Sequence, residues 1–82
     1  MAQILYFGRL SDVTGGLSET LPLPPAISDT RALRNWLDAE RGFNGALIHK
    51  SVRTAVNGDI VPDPYPVSDT DEIAFMPPVG GG

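Results

Sequence analysis

The chain ends in DEIAFMPPVGGG, residues 71–82, and this stretch decides how the rest of the sequence is interpreted. Residues 71–76 include a short apolar run that is typical of a strand, and two prolines follow it directly. Proline fixes φ and removes a backbone donor, so the pair projects the chain away from the sheet as an extended arm. The three glycines form a thin tip without Cβ atoms. We expect a final strand at 71–76 and a projecting, flexible tail at 77–82.

The tail has one reactive group, the terminal carboxylate of Gly82. Glycines at a chain terminus are often only a frayed end. Here the strand runs directly into the prolines, and residues 76–82 carry no charged side chain. Five of the ten acids come just before them: Asp59, Asp63, Asp69, Asp71 and Glu72. The contrast favours a functional tail, because a tip without side chains can enter a narrow channel and present its carboxylate to a partner's active site.

Composition limits the other functions. A chain of 82 residues makes one domain, and the absence of cysteine excludes disulfides, thiolate metal sites and cysteine nucleophiles. A single histidine excludes a multi-histidine metal site. The net charge of -4 has the wrong sign for binding nucleic acid or an anionic membrane, and it favours a basic partner surface. Without a membrane-length apolar stretch or a basic leader segment, the expected location is the cytoplasm.

The first part of the chain predicts a β-hairpin. Residues 4–7 form a continuous apolar run, expected to be a strand covered on both faces. Residues 10–14 are expected to add at most one helical turn. Leu17, Leu21 and Leu23 then share parity, which indicates a second strand paired back on the first.

One helix is predicted with N-cap Ser28 or Asp29 and with Gly42 as its stop. Three apolar residues at helical spacing form its core face: Leu33, Trp36 and Leu37. Its polar residues are expected to point away from the core: Arg31, Arg34, Asn35, Asp38 and Arg41.

The remaining segments predict a second hairpin. Residues 46–48 suggest another helical turn, and strands at 54–56 and 60–61 flank Asn57-Gly58, a type I′ turn signal. Hairpin, helix, hairpin and strand in this order define an α+β fold with one sheet and one principal helix.

These segments resemble the MoaD/ThiS sulfur carriers, which are ubiquitin-like β-grasp proteins, and among them the small subunits of molybdopterin synthase. Three stretches carry the resemblance: ILYFGRL at 4–10, AVNG at 55–58, and DEIAFMPPV from residue 71 running into the terminal glycines. It covers nearly the whole chain. It implies a β-grasp fold over 1–82, with a mixed sheet and one principal helix packed across it.

The resemblance also implies the chemistry. A ubiquitin-activating-like adenylating enzyme, using ATP and magnesium, converts the Gly82 carboxylate into an acyl adenylate. Sulfur from a sulfur-donating enzyme replaces AMP, and the thiocarboxylate supplies sulfur for the dithiolene of molybdopterin. The chain is then a carrier with no tightly bound cofactor or metal and no catalytic residue. The catalytic groups belong to a large subunit, with two small and two large subunits assembled together.

The same resemblance assigns residues to the partner contacts. Four tail residues thread the partner's active site: Pro78, Val79, Gly80 and Gly81. Phe7, Ile60 and Met76 form an apolar patch beside the tail that contacts both partners. The acids are expected to contribute only orientation and association rate.

Other functions stay open at this point. The chain is alternatively a sulfur carrier for thiamine or another pathway, a ubiquitin-like modifier, or a plain interaction module. His49 is expected at the surface. Prolines interrupt the acids at 59–72, which are interpreted as a solvated rim rather than a cation site.

Overall fold

The structure is a computed structural model that describes residues 1–77, apart from the side chains at positions 13 and 14. Five strands and two helices follow one another as β1 (Ala2–Tyr6), α1 (Leu10–Thr14), β2 (Ser18–Leu21), α2 (Thr30–Arg41), β3 (Arg53–Val56), β4 (Asp59–Val61) and β5 (Glu72–Met76). The strands form one sheet in the order β2-β1-β5-β3-β4. β5 runs parallel to β1, and the other neighbours are antiparallel. The predicted α+β fold with a mixed sheet is confirmed.

β1 is covered on one face only, so the expectation of a strand buried on both faces is wrong. Ala2, Ile4 and Tyr6 are buried, whereas Gln3 is exposed and Leu5 is partly buried. The single principal helix covers one side of the sheet and leaves the other uncovered. A continuous apolar run therefore hides an alternation between a core face and an open face.

β2 is shorter than the sequence suggests. Pro22 has no backbone N–H and follows the strand, so Leu23 lies beyond it and is only partly buried. Leu17 precedes the strand and is 71% exposed. The core face of β2 holds Leu21 and Glu19, whose carboxylate accepts a hydrogen bond from the Tyr6 hydroxyl (2.7 Å) and pairs with Arg41.

α2 begins and ends where the sequence predicts. The Asp29 carboxylate accepts a hydrogen bond from the Ala32 N–H (2.8 Å), and Gly42 takes the left-handed conformation (φ 68°) that ends the helix. Leu33 and Leu37 are fully buried, while Trp36 is partly buried against the core.

Two polar residues of α2 do not point away from the core as expected. Arg34 is 6% exposed and Asp38 is 8% exposed. The Arg34 guanidinium donates to the Leu47 and His49 carbonyl oxygens (2.9 and 2.8 Å), and the Asp38 carboxylate accepts from the Gly45 and Leu47 N–H groups (both 2.9 Å). These bonds satisfy the backbone of the segment after the helix. That segment forms turns, so the helical turn expected at 46–48 is wrong.

The second hairpin and the core agree with expectation. Asn57 (φ 51°) and Gly58 (φ 91°) both take positive φ, as a type I′ turn requires. The core joins the helix to the inner sheet face, with Leu33 and Leu37 packed among Ile4, Ile73 and Phe75. No helix within residues 1–77 is long and apolar enough to cross a membrane.

Candidate docking face and tail base

The register brings three strand ends together where the tail leaves the sheet. β5 ends at Met76, which lies opposite Arg53 at the start of β3. On the other side, the Phe7 N–H donates to the Phe75 carbonyl oxygen (3.0 Å), which extends the parallel pairing one residue beyond β1. We call this edge the tail end of the sheet. The opposite edge, where Glu72 begins β5 beside Gln3, is the far end.

At the tail end of the sheet, Gly8 packs closely against the ring of Pro77. Gly8 has φ +57°, and an ideal Cβ on it would stand 2.9 Å from Pro77 Cγ. A side chain at this position would be strained by the backbone and would also push the proline ring. The loop after β1 and the base of the tail therefore pack as one unit, although ILYFGRL and MPP are far apart in sequence.

The five residues expected to carry or thread the reactive carboxylate lie outside the described residues: Pro78, Val79, Gly80, Gly81 and Gly82. Of the segment expected as a projecting tail, the structure describes Pro77 alone.

Phe7, Ile60 and Met76 all lie on the open face. Phe7 is 47% exposed, Ile60 is 63% exposed, and Met76 is partly buried. Alternation along each strand places them opposite the helix side, because their neighbours Tyr6, Phe75 and Val61 point towards it. The structure therefore brings the three predicted residues to one surface.

They do not touch as a compact trio, because β5 and β3 separate Phe7 on the β1 side from Ile60 on β4. Three strand spacings amount to roughly 14 Å. A row of smaller side chains fills the interval: Leu5 lies opposite Ala74, Ala74 opposite Ala55, and Ala55 opposite Ile60. We call the surface formed by residues 5, 7, 55, 60, 74 and 76 the apolar face.

Sequence reasoning missed Leu5, Ala55 and Ala74. Ala55 (7% exposed) and Ala74 (5% exposed) are buried but do not belong to the core cluster beneath the helix. Strand parity was the available signal, since each shares a face with an already predicted residue. It becomes decisive only after the pairing register is known.

Arg53 is a second residue that the sequence did not reveal. It lies in the same cross-strand row as Met76 and Phe7, and its side chain is exposed. Lys50, three residues earlier, is also exposed and lines a groove together with Arg53. The surroundings of the tail base are therefore apolar and basic.

The acids concentrate away from the tail. Asp59, Asp71 and Glu72 lie at the far end, where Asn57 donates to Asp71 through its side chain (2.9 Å) and to the Glu72 carbonyl oxygen through its N–H (2.8 Å). Asp69 lies there too, paired with the amino terminus at 3.1 Å. The acids at 59–72 therefore do not form one rim.

Asp63 is the exception among those acids. It lies near the tail end and pairs with Arg34 (3.1 Å) and Arg31 (3.7 Å). It also accepts a hydrogen bond from the Thr30 hydroxyl (2.5 Å), which ties the loop after β4 to the start of α2. This carboxylate is structural, because its neighbours already satisfy it.

Hydrogen bonds at the far end shift two carboxyl groups. The Asn57 side chain and the Ser68 backbone N–H hold the pKa of Asp71 below its usual value. The Leu23 N–H and the amino terminus hold the pKa of Asp69 down in the same way. On the helix side, burial and then the bond to Glu19 raise the pKa of Tyr6. The two carboxyl groups lie at the far end, whereas Tyr6 is the register partner of Phe75 and directs its hydroxyl to Glu19 on β2.

The described residues supply few groups for chemistry. Within residues 1–77, no three His, Asp or Glu side chains come together to hold a metal ion. His49 is exposed, as expected, and its Nδ1 contacts Ser51, which lies two residues further along the chain. Within residues 1–77, the arrangement is an exposed apolar face beside the end of β5.

A five-stranded mixed sheet in the order β2-β1-β5-β3-β4, with one principal helix packed across it, defines a ubiquitin-like β-grasp protein. The chain belongs to the ThiS family, which it matches over residues 4–82. It is 32% identical to the human molybdopterin synthase sulfur carrier subunit, over 98% of this chain and 92% of the relative. It is 30% identical to the Escherichia coli protein of the same name, over the whole of both chains.

Solved structures agree on the fold. Small archaeal modifier protein 1 from Methanosarcina acetivorans has a TM-score of 0.77 at 21% identity, covering 99% of this chain and 95% of its own. A chain from the complex of subunits 1 and 2 of the Helicobacter pylori molybdopterin-converting factor has a TM-score of 0.65 at 22% identity, covering 99% and 97%.

Proposed function

We propose that this chain is the sulfur carrier of molybdenum cofactor biosynthesis and acts as the small subunit of molybdopterin synthase. The observation that carries the proposal is full-length similarity, at 32% and 30% identity, to two proteins named as that subunit. The matched family region extends through the terminal glycines. The apolar face and the packed tail base support it, because a carrier needs a rigid surface beside a reactive arm.

The proposed reaction takes place on Gly82. A carboxylate is a poor acyl donor until one oxygen becomes a good leaving group, so a partner enzyme with ATP and magnesium first forms the acyl adenylate and releases pyrophosphate. Hydrosulfide, supplied by the sulfur-donating enzyme, then attacks the carbonyl carbon; the bond to AMP breaks, AMP leaves, and loss of the sulfur-bound proton gives the thiocarboxylate. Sulfur suits this step because thiolates are strong nucleophiles at neutral pH. The cysteine-free chain has no thiol of its own, so the sulfur comes from a partner.

The carrier role divides the work between proteins. The chain presents the carboxylate, while an adenylating enzyme, a sulfur-donating enzyme and a large catalytic subunit supply the rest. The solved complex of subunits 1 and 2 of the H. pylori molybdopterin-converting factor supports the large subunit as a partner. We propose the same pairing here, as an assembly of two small and two large subunits.

Phe7, Ile60 and Met76 are proposed to make the contacts with the partner proteins. The apolar face docks on each partner in turn, and residues 78–81 thread towards the partner's active site. Docking fixes the position of the end of β5 relative to the partner. The last residues then need to span only a short distance to place the carboxylate in the active site. Glycine at positions 81 and 82 suits a channel that leaves no room for side chains.

The test is thiocarboxylate formation. The full chain is incubated with ATP, magnesium, an adenylating enzyme and a sulfur source, and intact-protein mass spectrometry measures replacement of one oxygen by sulfur. We expect the wild-type chain to react, and deletion of Gly82 or Gly81→Trp to abolish the product. Circular dichroism should show the same fold for all three. The large subunit should then use the thiocarboxylated chain to form molybdopterin.

Two results would contradict the proposal. One is a wild-type chain that never gains sulfur although the enzyme thiocarboxylates its own carrier. The other is sulfur transfer to the pterin that survives deletion of Gly82. Covalent conjugates between Gly82 and lysines of other proteins, seen on a denaturing gel, would instead indicate a modifier. Sulfur transfer to a thiazole precursor, without transfer to the pterin, would indicate the thiamine pathway.

A further inference from the structure

The unpaired cations of this acidic protein gather at the tail end. Three of its six Lys and Arg residues form ion pairs within the described chain: Arg31, Arg34 and Arg41. The side chains of Arg9, Lys50 and Arg53 form no ion pair among residues 1–77, and all three are exposed. Arg9 follows Gly8, Lys50 precedes β3, and Arg53 begins it. The net charge of -4 therefore conceals a basic end.

The acids at the far end make the charge distribution along the sheet asymmetric. Asp59, Asp69, Asp71 and Glu72 lie where β5 begins, whereas Arg53 lies opposite its last residue. Arg9 follows the glycine that packs against Pro77, and Lys50 lines a groove together with Arg53. Asp63, near the basic end, is already engaged by Arg31 and Arg34. Asp12 on α1 is exposed and lies three residues beyond Arg9, so an acid lies close to that cation along the chain. Lys50 and Arg53 form no ion pair among residues 1–77, and Asp63, the acid that shares their groove, is bonded to Arg31 and Arg34.

Arg53 borders the apolar face on the same side of the sheet. Its cross-strand partner is Met76, and the next residue in that row is Phe7. Arg53 also lines an open groove of about 1000 Å³ between the start of α2 and the β3-β4 edge, together with Lys50, Arg31 and Ile60. A partner that covers the apolar face must therefore cover or skirt the Arg53 guanidinium.

We propose that Arg53, supported by Lys50, is a specificity-determining cation that pairs with a carboxylate on the large subunit of molybdopterin synthase. The inference rests on the proposed function and adds the charge of the surface that receives the tail. Burying an unpaired guanidinium is strongly unfavourable, so an interface that covers Arg53 requires a counter-charge. Arginine's planar fork binds a carboxylate at two points, which fixes register as well as orientation.

On this proposal, the partner surface at the tail is acidic, whereas the net charge of the chain alone predicts a basic one. Net charge alone favours a basic partner, but the local charge beside Met76 favours an acidic one. The far-end acids oppose approach of the wrong edge to such a surface. The charge distribution orients the carrier with its tail towards the large subunit.

The simpler alternative is that Arg53 is merely solvated and its aliphatic stem covers Met76. On that view an apolar residue at position 53 would extend the apolar face and strengthen docking. The two accounts predict opposite signs for Arg53→Leu, which makes this substitution decisive.

The experiment is calorimetric titration of the full-length chain into the large subunit at low and high salt. Variants are Arg53→Leu, Arg53→Glu and Arg53→Lys. Ala39→Glu is the control, since it changes the net charge by as much as Arg53→Leu but lies on the exposed side of α2. Circular dichroism checks each fold.

At low salt we expect Arg53→Leu to weaken binding by roughly threefold to tenfold, and Arg53→Glu by more than tenfold, because reversal adds like-charge repulsion. Arg53→Lys should retain most of the affinity. Ala39→Glu should match wild type. The differences should shrink at about 1 M salt, where screening reaches only about 3 Å.

Binding by Arg53→Leu that equals or exceeds wild type overturns the inference. If that variant also receives and transfers sulfur normally, the proposed function stands and only the docking role of Arg53 falls. Wild-type protein that never binds the large subunit contradicts the proposed function itself, and the inference with it.

Discussion

Gly8 and Pro77 pack so closely that an ideal Cβ on Gly8 would lie 2.9 Å from Pro77 Cγ. The contact joins the loop after β1 to the first residue beyond β5. Because β1 and β5 are parallel neighbours, their ends meet at one edge of the sheet. The direction in which the chain leaves β5 at Pro77 is therefore set by tertiary packing as well as by the fixed φ of that proline.

Gly8→Ala should disturb the tail base more than an equivalent change elsewhere. Gly15→Ala is the matched control, since Gly15 also has positive φ (+77°) but an ideal Cβ on it would meet nothing within 4 Å. Each substitution should cost about 1 to 2 kcal/mol from backbone strain. We expect Gly8→Ala to cost about 1 kcal/mol more, because Pro77 must shift. Urea unfolding measures both.

The Gly8→Ala and Gly15→Ala variants also separate the effect of backbone strain from the effect of displacing the tail base. Thiocarboxylation of Gly8→Ala should slow roughly tenfold to a hundredfold if displacement of Pro77 misplaces the carboxylate. Gly15→Ala should react at the wild-type rate under conditions where both variants are folded. Equal rates for the two variants would show that the Gly8 contact does not position the tail.

Phe7→Ala tests the apolar face. Phe7 is 47% exposed beside the tail base, where an aromatic ring can anchor a partner. We expect binding to the large subunit to weaken by about 2 kcal/mol or more if Phe7 is a hot spot. Leu17→Ala is the control, because Leu17 is 71% exposed and shares parity with Tyr6 on the other face. Calorimetry gives the affinities and circular dichroism checks the folds. Unchanged affinity in a folded Phe7→Ala protein would remove Phe7 from the interface.

Asp71→Asn should lower stability near neutral pH and lose that effect in acid. The folded-state pKa of Asp71 is held below its unfolded value by bonds from Asn57 and Ser68. The ionised carboxylate therefore stabilises the fold fully above the unfolded pKa of about 3.9, and this stabilisation is lost as pH falls through the lower folded pKa.

Urea unfolding from pH 7 downwards measures this dependence. The free energies of wild type and Asp71→Asn should differ at neutral pH and converge in acid. Glu72→Gln removes the same charge from the next residue and should give a smaller difference. A constant gap between wild type and Asp71→Asn at every pH would show that titration of this carboxyl is not its source.

Thr54→Val should stabilise the protein. Thr54 is 2% exposed, and its hydroxyl has no hydrogen-bond partner among the described side chains and backbone. Removing a buried, unsatisfied hydroxyl should gain about 1 kcal/mol. Thr20→Val, at an exposed position on β2, should change stability far less. Thermal unfolding compares them, and a lower Tm for Thr54→Val would mean that the hydroxyl is satisfied in solution.

Much of the architecture follows from local sequence chemistry. Asp29 and Gly42 mark the ends of α2 because their side-chain acceptor and left-handed backbone satisfy the helix termini. Asn57-Gly58 determines the second hairpin because both residues tolerate positive φ. Such signals act over a few residues, so they can be interpreted without knowing what packs against them.

The burial of Arg34 and Asp38 could not be predicted in that way. Each occupies a polar position on α2, and only the approach of the segment after the helix supplies their backbone partners. A charged residue is buried when tertiary structure satisfies its hydrogen bonds. Helical spacing alone therefore predicted, wrongly, that both side chains point away from the core.

The sequence by itself determined the helix, the hairpin turn and the final strand leading to Pro77, because caps, turn residues and prolines act locally. Only the tertiary structure decided that Arg53 lies beside Met76 and that Ala55 and Ala74 join the apolar face. Strand register and sheet order depend on contacts between residues distant in sequence. For the same reason, net charge could not show that the far end is acidic while the surroundings of the tail base are basic.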